Sequence, residues 1–130
     1  MAYNNAYQES KKIALETMSK GEIVIKLFEA ASKQIKMGVF LIEREDSAKA
    51  YNAIAKAQKL ISALNQSLDM NYPISTELND MYNFIYEQLG VANVNKDTAL
   101  LNEMWGLVNE LKDAFKEADK ISNGLKTEGT

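Results

Sequence analysis

The chain is predicted to be all-α: an antiparallel up-down four-helix bundle with a short helical arm at the N-terminus. Apolar residues recur at helical spacing through four long stretches, and the lone proline, Pro73, falls between two of them. Nothing resembles the regularly spaced turn clusters of an all-β protein. The clearest stretch places Ala50, Ile54, Ala57, Ile61, Leu64 and Leu68 at alternating steps of four and three, the seam of a helix packed lengthwise on its neighbours.

Residues 2–17 read as a polar arm in which Tyr3 and Tyr7 stand four apart, followed by Ile13, Leu15 and Met18. Ser19-Lys20-Gly21-Glu22 has the form of a capping box, with the Ser19 hydroxyl and the Glu22 carboxylate each accepting from the other's backbone N–H. A helix is expected from there to about Arg44. Glu43-Arg44-Glu45-Asp46 reads as a solvated turn, with Asp46 or Ser47 capping a helix to about Met70. Asn71-Tyr72-Pro73 interrupts the pattern, because proline disfavours helix in the preceding residue and cannot donate a hydrogen bond. A further helix runs from about Ser75 to Val94 and carries Leu78, Met81, Tyr82, Ile85, Leu89 and Ala92. After Asn95-Lys96-Asp97 the last helix carries Leu101, Met104, Val108, Leu111, Phe115 and Ala118, and residues 122–130 read as a frayed tail. The 130 residues therefore form one domain, with the bundle over 19–121.

The four stretches carry their apolar residues on arcs broader than one core needs, and two of them go well past the roughly 100° of a one-sided helix. In 19–44 the set includes Ile23, Val24, Ile25, Leu27, Phe28, Ile35, Met37, Val39 and Phe40, and in the last helix Leu100, Leu107, Ala114 and Ile121 widen the seam sideways. Either such helices are central or their second face meets another chain. A net charge of −3 with interspersed signs gives no basic stripe for phosphate backbones, so nucleic acid is not an expected partner. No apolar run reaches the roughly 18 residues that span a bilayer, and Met1-Ala2-Tyr3-Asn4-Asn5 lacks the basic and apolar regions of a signal peptide. A cytoplasmic location is expected, and the absence of cysteine agrees with a reducing compartment.

The equipment for catalysis is sparse. Without histidine or cysteine there is no Glu-x-x-His pair for a di-iron site and no Ser–His or Cys–His nucleophile. The six glycines are scattered and build no phosphate loop. A carboxylate metal site through Glu103 and Glu110 competes with the simpler reading of both as surface charges. No enzyme activity and no cofactor are expected. Tyr51, Tyr82 and Tyr86, each taken alone, are better explained by packing in or beside the core, as are Met81 and Met104.

Several segments together resemble the flagellin export chaperones of the FliS family. Thr17-Met18-Ser19-Lys20-Gly21-Glu22-Ile23-Val24-Ile25-Lys26-Leu27-Phe28-Glu29-Ala30-Ala31 is similar to the family's Thr-Ala-Ser-Pro-x-Glu-Leu-Ile-x-x-Leu-Tyr-Asp-Gly-Ala. Lys56 through Asp69, Leu78 through Tyr86 with Leu89, Ala92, Asn93 and Asp97, and Glu110 through Ala118 match later segments in order. The chain departs from that pattern at Lys20 (proline in the family), Phe28 (tyrosine), Glu29-Ala30 (Asp-Gly) and Phe115 (tryptophan).

The resemblance implies a cytosolic protein that binds the otherwise disordered C-terminal segment of flagellin, prevents premature polymerisation and supports flagellin export. It also implies that an arm tyrosine, here Tyr7, covers part of the binding surface, and it leaves room for export-gate components or a co-chaperone as further partners. Ile23, Leu27, Ile61, Leu64, Leu68, Tyr82 and Ile85 are the expected partner-binding residues with Tyr7, because they lie on stripes that four packed helices cannot bury equally. Two other readings of the wide arcs remain, a homo-oligomerising structural bundle and a carboxylate metal-binding bundle.

Overall fold

A computed structural model describes residues 21–128, and its four helices are α1 (Glu22–Glu43), α2 (Ser47–Gln66), α3 (Ile74–Asn95) and α4 (Thr98–Glu128). Each helix packs on its neighbours in chain order and α4 closes back on α1, so α1 is diagonal to α3 and α2 to α4. This is the up-down bundle that the helical periodicity and short connections predict. Tyr3, Tyr7 and the arm lie outside the described residues.

The helix ends show local chemistry at work. α1 starts at Glu22 on Gly21, whose φ of 62° is a conformation that glycine adopts without steric cost. Gly21 is the N-cap, with no side-chain cap hydrogen bond among the described residues, and the expected capping residue Ser19 lies outside them. The Asp119 carboxylate of α4 lies against Gly21, with Oδ1 only 3.0 Å from where a Cβ would stand. A negative group there suits the positive end of the α1 dipole.

The α1–α2 turn is a Schellman motif. Asp46 N–H donates to the Leu41 carbonyl and Glu45 N–H to that of Ile42, both at 2.9 Å, with Glu45 at φ 62°. Asp46 then caps α2 by accepting from Lys49 N–H at 3.2 Å. The α3–α4 turn repeats the device: Lys96 has φ 52°, Asp97 N–H donates to the Ala92 carbonyl at 3.0 Å, and Asp97 Oδ1 accepts from Leu100 N–H at 3.1 Å.

α2 ends at Gln66, four residues before the expected Met70. Its exit is held by side chains that bond the backbone: Ser67 Oγ donates to the Leu64 carbonyl at 2.6 Å, and Asp69 Oδ1 accepts from Asn71 N–H at 3.0 Å. Such bonds compete with the helical ladder. Ser75 Oγ donates to the Asp69 carbonyl at 2.5 Å and ties the connection to the start of α3. At the other end of the chain α4 continues to Glu128, past the loss of apolar pattern at residue 122. The backbone ladder carries the helix beyond the last core contact even though Ser122, Asn123 and Gly124 are weak helix formers.

The core runs the length of the bundle. Val24, Phe28, Ala31, Ile35 and Val39 of α1 meet Ile54, Ala57, Ile61 and Leu64 of α2, Leu78, Tyr82, Ile85 and Leu89 of α3, and Leu101, Met104, Val108 and Phe115 of α4. Phe28 joins three helices, its ring centroid 6.2 Å from Tyr82 and 5.1 Å from Phe115. α1 and α2 approach most closely of all pairs. Gly38 permits this, since a Cβ there would fall 2.7 Å from Ile54 Cγ1.

Candidate functional site: two grooves beside α3

A wide apolar arc leaves a residue such as Leu107 off the main seam, and the structure shows where such residues go. α3 and α4 pack least closely of the neighbouring pairs. Between them lies a cleft of about 210 Å³ lined by Ile74, Leu78 and Met81 of α3 and Leu107, Leu111, Ala114 and Phe115 of α4. Glu77 and Glu110 stand at its edges, so an apolar floor carries acidic rims. Met81 is half-buried here, a cleft-lining residue as well as a neighbour of the core, whereas Met104 is core.

On the other side of α3 a second, polar depression of about 140 Å³ separates it from α2. Ile61 and Tyr82 form its buried floor, and Ser62, Asn65, Asn83 and Tyr86 line the rest. Asn65 Nδ2 donates to Asn83 Oδ1 at 3.2 Å, and Asn83 Nδ2 to Asn79 Oδ1 at 3.4 Å. Gln58 Nε2 donates to the Tyr86 carbonyl at 3.1 Å. Burial pushes the Tyr82 phenol well above its ordinary pKa of 10.0, because the phenolate would lose hydration without gaining a counter-charge.

The expected partner-binding residues separate into two groups. Ile23 is 64% exposed on the first turn of α1, one turn before the half-buried Leu27, and Leu68 is half-buried just beyond α2. Ile61, Leu64, Tyr82 and Ile85 are at most 1% exposed and offer almost no area of their own; Ile61 and Tyr82 floor the α2–α3 depression, whereas Leu64 and Ile85 lie in the core and line neither groove. All four belong to the core cluster that the helices build together, which one helix's periodicity does not reveal. Tyr7 lies outside the described residues.

Tyr51 and Tyr86 depart from the expectation of core packing, being 58% and 44% exposed. Each has a backbone role beside it instead: Asn93 Nδ2 donates to the Tyr51 carbonyl at 3.2 Å, as Gln58 does to that of Tyr86. Trp105 is half-buried under Lys36, whose Nζ lies 4.1 Å from the ring centroid. Met37 and Phe40 on α1 and Phe84, Val91 and Val94 on α3 add further exposed apolar area, so the second faces of these helices are open.

Sequence reasoning passed over the groove amides Gln58, Asn65, Asn79 and Asn83. Their signal was the four-residue step from Asn79 to Asn83, which puts both on one face of α3. Among the described residues no three acidic, histidine or cysteine side chains gather as metal ligands would, and no helix is long and apolar enough to cross a membrane.

Comparison with known proteins covers nearly the whole chain. The family model described as Flagellar protein FliS matches residues 3–122. The flagellar secretion chaperone FliS of Bacillus subtilis is 32% identical over 118 residues, 91% of this chain and 89% of its own length. That of Salmonella typhimurium is 26% identical over 113 residues, 85% of this chain and 84% of its own.

Proposed function

Since the chain belongs to the FliS family of flagellar proteins, whose matched relatives are flagellar secretion chaperones, we propose that it holds the C-terminal segment of flagellin in the cytosol until export and is not an enzyme. The observation that carries this reading is the α3–α4 cleft, an apolar channel with acidic rims beside two helices that expose further apolar side chains. An amphipathic helix can lay its apolar face in such a channel. Occupying that face of flagellin keeps it from making the same apolar contacts with other flagellin molecules, which prevents early polymerisation. Ordering a disordered partner costs a few kcal/mol of the gross interaction energy, which keeps affinity moderate enough for release.

Ile23, Leu27 and Leu68 extend the apolar area available to the partner, with Ile61 and Tyr82 flooring the α2–α3 groove and Leu64 and Ile85 holding the core behind it. Tyr7 of the arm completes the surface. The decisive experiment is co-purification with the flagellin encoded in the same genome, full-length and lacking its last few tens of residues. Full-length flagellin should be retained and the truncation lost, whereas equal retention of both would overturn the C-terminal mode. A monomeric mass in solution at micromolar concentration would exclude the homo-oligomeric alternative.

A further inference from the structure

Two outward faces of the bundle share a spacing and differ in charge. On α1, Lys26, Ala30, Lys33, Met37, Phe40 and Arg44 follow one another at steps of four and three, which sets them in one stripe along the helix. All but Ala30 are exposed, and the Arg44 guanidinium lies 4.3 Å from the Phe40 ring centroid. No carboxylate interrupts the stripe. Glu22 and Glu29 flank it, but Glu29 is paired with Lys116 of α4, and among the described residues Lys26 and Lys33 have no ion-pair partner. On α3 the same spacing gives Glu77, Asp80, Phe84, Glu87, Val91 and Val94, all exposed. α1 and α3 are diagonal, so the bundle has a cationic side and an anionic side although its net charge is only −3.

Cations and large apolar side chains alternating along the outside of one helix suit the boundary of an anionic bilayer. Lys and Arg stems carry their charges to the lipid phosphates, while Met37 and Phe40 enter the edge of the acyl region. A lipid surface meets both kinds of side chain without a shape-matched groove. At 1.5 Å per residue the stripe from Lys26 to Arg44 spans about 27 Å, enough for several headgroups to be engaged at once.

We propose that the outward face of α1 docks on an anionic lipid surface through Lys26, Lys33, Met37, Phe40 and Arg44. The helix lies in the plane of the interface and crosses nothing. The acidic stripe of α3 is repelled by the same surface, which fixes the orientation: α1 faces the lipid, and the α3–α4 cleft and the α2–α3 groove on the far side stay open to a protein partner. This contact is separate from the surface assigned to flagellin, and neither depends on the other.

The test is co-sedimentation of the full chain with phosphatidylcholine vesicles, with and without phosphatidylglycerol. The chain should pellet with the anionic vesicles alone, and added salt should release it, because screening shortens the reach of the lipid charge. Each cation near an anionic surface contributes about fivefold in affinity, so Lys26→Glu/Lys33→Glu should weaken binding at least about twenty-five-fold. The same charge change on exposed residues of α2, Lys56→Glu/Lys59→Glu, should weaken it far less, which separates the α1 face from net charge. Phe40→Ser should also weaken it. If the α1 double variant loses helical content, Lys33→Gln replaces it, with about a fivefold loss expected. Equal binding to both kinds of vesicle overturns the proposal, as does equal loss in the α1 and α2 variants. Binding to neither vesicle also overturns it and leaves the stripe to an acidic protein surface.

Discussion

The two flanks of α4 are built from the same helix and behave as opposites. Toward α1, buried Leu101, Val108 and Ala118 are bordered by polar cross-links: Lys36 Nζ donates to Asn102 Oδ1 at 2.7 Å and covers Trp105, Ser32 Oγ donates to Asn109 Oδ1 at 3.2 Å, and Lys116 pairs with Glu29 at 3.4 Å. Toward α3 the flank presents Leu107, Leu111 and Ala114 to an unfilled cleft with glutamates at its edge. A seam bordered by fitted polar pairs has no room for a guest, whereas one whose apolar side chains lack partners gains by receiving one. The contrast separates the part of α4 that holds the fold from the part available to a ligand.

Paired truncations on α4 should break or confirm that contrast most clearly. Leu101→Ala removes a wholly buried side chain and should cost about 2 to 5 kcal/mol in denaturant unfolding. Leu107→Ala, at the cleft, should cost only about 1 kcal/mol because its site is already partly open, yet weaken flagellin binding severalfold. Equal losses of stability would show that both flanks are core.

Next in size is Gly38→Ala, on the closed side of the molecule. With a Cβ 2.7 Å from Ile54 Cγ1, the α1–α2 contact must spread, at about 1 to 3 kcal/mol. Binding should be little affected in whatever fraction remains folded, since Gly38 lies away from both grooves.

Alkaline titration probes the floor between the grooves. Tyr82 has its folded pKa raised by burial, so the unfolded chain loses its phenolic proton above pH 10.0 while the folded chain retains it. Stability should then fall with rising pH by about 1.4 kcal/mol per unit from this group, an effect absent below pH 10.0. Tyr82→Phe should remove that component and, at neutral pH, change stability by no more than about 1 kcal/mol. Matching alkaline slopes for the two proteins would contradict the burial of this phenol.

The smallest effect belongs to the polar border of the closed flank. Lys36→Met deletes the links to Asn102 and Trp105 at an exposed position and should cost less than about 1 kcal/mol, without detectable change in flagellin binding. A marked gain in flagellin binding would mean that the α1–α4 seam also admits a guest once unstitched.

Much of this architecture was legible in the residues. The four-and-three spacing from Ala50 to Leu64 is buried at every member. Asp46 caps α2 as its side-chain chemistry suggests, and Pro73 stands between helices. Of the residues that widen the last helix's arc, Leu107 and Ala114 line the cleft. Less legible were the site residues themselves. Ile23 and Ile61 have identical composition and similar periodic placement, yet one is 64% exposed and the other 0%. A helix's period tells which residues share a face, but not which neighbour covers that face.

By itself the sequence determined the helices, their order, the antiparallel course imposed by short connections, and the family. These depend on local spacing, turn chemistry and segment order, all written along one dimension. Tertiary structure alone decided that α4 closes tightly on α1 and loosely on α3, that Tyr82 lies under a groove while Tyr86 stands at its edge, and that amides from α2 and α3 meet. Each of those outcomes depends on the distance between helices far apart in the chain, and that distance is set by side chains of all four packing at once.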